Sequence, residues 1–82
     1  EGSAYRLAID ALRLATQTVD GRESAEALVR AILRHWSLAD ANALINHVHA
    51  PSMTPAEIAG LAPVVLSLAA SGDPAARSLV DQ

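Results

Sequence analysis

Apolar and polar positions alternate along this chain with the period of a helix almost throughout. Between Tyr5 and Thr18 the polar residues Arg6, Asp10, Arg13 and Gln17 follow at intervals of four, three and four. That spacing puts them on one narrow stripe of a helix. The rest of the segment (Tyr5, Leu7, Ala8, Ile9, Ala11, Leu12, Leu14, Ala15) is apolar. A first helix is therefore predicted over about 5–18, with Ser3 as its N-cap. A helix with so thin a wet face needs neighbours on more than one side. Eighty-two residues are few to supply them, so the pattern implies further chain around it.

Asp20-Gly21 is a turn signal that ends this helix. A second is predicted over about 25–35, with Ser24 as N-cap, Glu26, Arg30 and Arg34 on its wet face, and Leu28, Val29, Ile32, Leu33 and Trp36 inside. Glu26 and Arg30 stand in the favourable i,i+4 order. A third, over about 39–48, follows Ser37 and Asp40, which approximate a capping box, and turns Leu44, Ile45 and Val48 inward. Thr54-Pro55-Ala56-Glu57 is a capping box with Pro at the first helical position. Pro63 then forbids one unbroken helix, since an interior Pro costs about 3 kcal/mol. A short turn at 55–60 and a fresh helix over about 62–70 are expected, closed by Gly72. Asp73-Pro74 starts the last helix, 74–82, whose stripe of Ala75, Ala76, Leu79 and Val80 is still open at Gln82, as in a truncated segment. The fold class expected is all-α, a small bundle of about five helices in one domain.

Composition sharpens this picture. The chain is 51% apolar, with no Phe, one Trp and one Tyr, so its apolar mass is mostly alanine and leucine. Those are the strongest helix formers. At this length only roughly 60% of the unfolded surface is buried, so stability depends on close packing. The net charge is −3, and the six basic residues are all Arg, spread from Arg6 to Arg77. Nucleic-acid binding needs a clustered basic face, so it is not expected. Without Cys there are neither disulfides nor thiolate metal sites. No basic start precedes an apolar run, as a signal peptide would require. The stretch Ile58–Ala70 falls short of the about 20 residues that span a bilayer. A cytoplasmic, bacterial setting is the expectation, with no membrane partner.

Chemistry-bearing side chains are sparse. His47 and His49 are two residues apart, about 200° around a helix, and cannot share a metal. Neither an HExxH pair nor a GxxxxGK[ST] loop is present. Ser3, Ser52 and Ser67 lack a base at a familiar spacing, and Glu57 sits where a capping box needs it. No catalytic residue and no metal ligand is assigned.

The opening Glu1-Gly2-Ser3-Ala4-Tyr5 resembles the tail of the Gly-Asp-Glu-Gly-Ser signature of the N-acetylglucosamine kinase-like family, the BadF/BadG/BcrA/BcrD-type ATPases. Two more stretches follow in the family's order and spacing. Thr54-Pro55-Ala56-Glu57-Ile58-Ala59-Gly60-Leu61-Ala62-Pro63 is similar to its Pro-Ala-Glu-Ile-Ala-x-Leu-Ala-Pro segment. Ala70-Ser71-Gly72-Asp73-Pro74-Ala75-Ala76-Arg77 resembles its Ala-x-Gly-Asp-x-x-Ala turn. Each stretch alone is of low specificity, because Ala-rich helical text is common; the weight lies in their order.

The resemblance implies the α/β, two-lobed actin, Hsp70 and sugar kinase fold for a parent protein, of which this chain is the helical part of the second lobe. It implies an ATP- and Mg-dependent phosphotransferase or ATPase acting on an amino sugar or another small phosphate acceptor. The phosphate loops and the catalytic aspartate lie outside these residues, so the segment alone is expected to be inactive and to hold no cofactor. Glu1, Gly2, Ser3 and Ala4 would lie at the sugar edge. Ala59, with Glu57, Ile58 and Gly60, would lie against the adenine nucleotide. The plainer reading makes Ser3 a cap and Ala59-Gly60 a close helix contact. The expected partner is the rest of the parent chain, and a homodimer is also open. The alternative is a stand-alone helical module that binds proteins through an apolar groove. For the fragment, the first helix or the Ile58–Ala70 region is expected to expose apolar surface, because its sheet partners would be missing.

Overall fold

The computed structural model describes residues 2–51 and 53–81. Among them the chain forms six helices and no strand: α1 (Gly2–Val19), α2 (Glu26–His35), α3 (Ala41–Val48), α4 (Pro55–Ala59), α5 (Ala62–Ala70) and α6 (Pro74–Val80). The all-α expectation holds. The core follows from the periodicity already noted. On α1, Ala8, Ala11, Leu12 and Ala15 are buried, a stripe opposite Arg6 and Arg13. Its side chains are mostly methyl groups, which allow close approach, and α2, α4, α5 and α6 all pack on α1. Leu28, Ile32, Leu44, Leu61 and Val65 are the largest fully buried side chains. Together these form one cluster, with Val29, Leu33, Trp36 and Leu38 half-buried around it. The Cα radius of gyration, 11.6 Å, equals the about 12 Å of a compact body of this length.

Two expectations change here. The first helix finds its neighbours within the chain, so its thin polar stripe does not by itself demand more protein around it. Its start is also earlier than the spacing predicts: α1 begins at Gly2, so Ser3 lies inside the first turn and is not the N-cap.

The remaining helix starts divide into two groups. Asp40, Thr54 and Asp73 are true N-caps. Asp40 Oδ1 accepts from the Ala43 amide at 2.9 Å, Thr54 Oγ1 from Glu57 at 3.1 Å, and Asp73 Oδ2 from Ala76 at 3.0 Å. Each satisfies a backbone donor that the first turn leaves open. Helix α2 is different. Its cap position is Ala25, not Ser24, and the Ala25 amide donates to Thr18 Oγ1 at 3.1 Å, while that hydroxyl donates to Leu14 O at 2.9 Å. A side chain from the end of α1 therefore satisfies the amide of the cap residue itself, and no side chain caps the first turn of α2. The Ser37–Asp40 box is not formed either, because Ser37 terminates α2 while Asp40 alone caps α3. The Glu26–Arg30 ion pair is not made. The described pairs are Arg13–Asp10 and Arg22–Asp20, both exposed, and such pairs contribute little.

Three helices end in the same way. After α1, Gly21 takes φ +83°, and amides 21 and 22 return to Thr18 O and Gln17 O. After α5, Gly72 takes φ +102°, and amides 72 and 73 return to Ala69 O and Leu68 O. After α2 the left-handed residue is Ser37, at φ +55°, with amides 37 and 38 bonded to Arg34 O and Leu33 O. This double return satisfies carbonyls the last turn would leave unpaired. Pro63 divides α4 from α5 as expected: it sits in the first turn of α5, where a missing N–H is harmless.

Candidate functional site

The sequence-derived candidates fall at two places. Glu1 lies outside the described residues, and Gly2 opens α1. Ser3 and Ala4 line a groove of about 450 Å³ between the start of α1, α5 and α6, together with Arg6, Leu7, Asp10, Ala62, Leu66, Leu79 and Val80. Its character is mainly apolar. Leu66 is 49% and Val80 38% exposed, so two of the three large apolar side chains left open among the described residues belong to it; Tyr5, at 39%, is the third. The expectation of exposed apolar surface on the first helix or within Ile58–Ala70 is met in both regions, by Tyr5 and by Leu66. Its polar lining residues, those of the groove, are Ser3, Arg6 and Asp10, all on α1.

Glu57, Ile58, Ala59 and Gly60 form the end of α4 and the step into α5. Helix α4 packs on α1, with Glu57 exposed and Ile58, Ala59 and Gly60 half-buried. A Cβ at Gly60 would stand 3.3 Å from Glu57 O and 3.9 Å from His35 Nε2. These four residues do not line the groove that holds Ser3 and Ala4, so the structure does not gather the two sets into one cavity. A flat ring against Ala59 would need its other walls from outside these residues. Among the described residues no three His, Cys, Asp or Glu side chains cluster as a metal site would require.

Two further clefts were not foreseen. One, about 390 Å³, lies between α1, the 23–25 loop and α6 and includes Asp10, Arg13, Gln17 and Glu23. The other, about 360 Å³, lies between α2 and α5 and includes Arg34, His35, Ser67 and Ser71. Arg34 and His35 stand in the last turn of α2, and Ser71 caps the C-terminus of α5. Two helix C-termini give this cleft negative partial charge, which offsets the attraction Arg34 would have for an anion. Ser71 Oγ already donates to Leu68 O at 2.8 Å. None of these pairings was legible in sequence, because each joins helices whose relative placement periodicity does not specify.

The histidines divide likewise. His35 is exposed and His49 ends α3. His47 is half-buried against Trp36, ring centroids 4.6 Å apart, and its Nε2 is buried without a hydrogen-bond partner.

Compared with protein-family models, with curated proteins and with solved structures, the chain finds no match. No helix among the described residues is long and apolar enough to cross a membrane.

Proposed function

We propose that this chain is the helical part of the second lobe of a cytoplasmic, ATP-dependent sugar kinase-like phosphotransferase of the N-acetylglucosamine kinase-like, BadF-type group. The observation that carries the reading is the ordered resemblance of three stretches. Its support from the fold is that two of the stretches form distinct junctions. Thr54 to Pro63 forms the capped α4 and the start of α5, and Ala70 to Arg77 forms the Gly72 turn into α6, while Gly2 to Tyr5 lies within the start of α1. In this reading ATP and Mg bind mostly to the rest of the parent chain. Ala59 and its neighbours contribute one small-residue wall, and Ser3 and Ala4 one edge of the acceptor site. The nucleotide supplies the phosphoryl group, and the residues described here position rather than react.

The test is the complete gene product. Its reading frame is expected to encode an Asp-Gly-Gly-x-Thr phosphate loop upstream and a Gly-Gly loop downstream. The purified protein is expected to release ADP when given ATP, Mg and N-acetylglucosamine or a related acceptor. A reading frame without either loop, together with no nucleotide binding, would overturn the proposal.

A second reading is favoured by the closed core around Leu28, Ile32, Leu44 and Leu61: a stand-alone helical module that binds a protein through the α1–α5–α6 groove. An open reading frame ending near Gln82 would select it. A parent of about 300 residues, the size of two domains, would exclude it.

A further inference from the structure

We draw no further inference here: the strongest candidate, the apolar groove between α1, α5 and α6 lined by Leu7, Leu66, Leu79 and Val80, is an unpartnered face, and nothing in the structure shows what covers it.

Discussion

The imidazole of His47 lies against the indole of Trp36, with ring centroids 4.6 Å apart and the planes tilted by 52°. The pair joins α3 to the residue that closes α2. Truncating Trp36→Ala is expected to cost about 3 kcal/mol, the low end for a large aromatic because the indole is only half-buried. His47→Phe keeps a ring on that face and removes the unpartnered Nε2, so it is expected to raise stability by about 1 kcal/mol. Urea titrations followed by circular dichroism measure both. A His47→Phe loss above about 1 kcal/mol would mean that the nitrogen makes a bond the structure lacks.

The left-handed residue after α2 offers a second test. Ser37 holds φ +55° with a Cβ, where Gly21 and Gly72 do the same work without one. Ser37→Gly is expected to stabilise the fold by about 0.5–1 kcal/mol. Gly72→Ala is expected to destabilise it by about 1–2 kcal/mol. No atom lies within 4 Å of the added Cβ, so that cost would be conformational rather than steric. Thermal melts showing the opposite sign for either variant would contradict the assigned turns.

The start of α2 separates an expected cap from the observed one. Ser24→Ala is expected to change stability by less than about 0.5 kcal/mol. Thr18→Val keeps the side-chain shape but removes the hydroxyl shared by Leu14 O and the Ala25 amide, and is expected to cost about 1–2 kcal/mol. Thr54→Ala and Asp73→Ala should each cost about 1 kcal/mol as ordinary caps. If Ser24→Ala proved the costlier change at α2, the Thr18 linkage would be refuted.

Much of the fold could be read from the chain, and the exceptions share a cause. The inner faces of α2 and α3, the break at Pro63 and the caps at Thr54 and Asp73 are local: each depends on residues within about one turn of one another. What escaped is tertiary. Ser24 reads as a cap, but the helix starts one residue later, at an Ala25 whose amide finds its acceptor in Thr18, seven residues before it. Ser3 looked like a cap because the sequence shows no reason for α1 to begin sooner. Arg6 and Asp10 were visible as one stripe, yet that α6 lies across a groove from them was not. At the candidate site, Ala59 and Gly60 could be singled out only by resemblance, since small residues in Ala-rich text leave no chemical mark of their own.

Ala11 is wholly buried in the stripe that α1 presents to its neighbours. Enlarging it by Ala11→Leu is expected to cost about 1–3 kcal/mol through overpacking, despite the added apolar area. Ile32→Ala, which leaves a void instead, is expected to cost about 2–5 kcal/mol. Denaturant midpoints for the two variants decide whether the α1 interface is as close as its methyl groups suggest; a neutral or stabilised Ala11→Leu would show slack there.

For the proposed function, the 82-residue chain should show no rise in melting temperature with millimolar ATP and Mg, since a ligand stabilises the fold only when its concentration exceeds its dissociation constant, and one wall of a site binds weakly. A rise of several degrees would mean that these residues hold far more of the nucleotide site than one wall.

Trp36 is the sole indole in the sequence, and it closes α2 with its ring against His47 of α3. Its fluorescence is therefore a private channel onto the α2–α3 junction. The hairpin of α5 and α6 could loosen while that emission stayed constant, so superimposable optical and far-ultraviolet melting curves would be direct proof that the six helices melt as one.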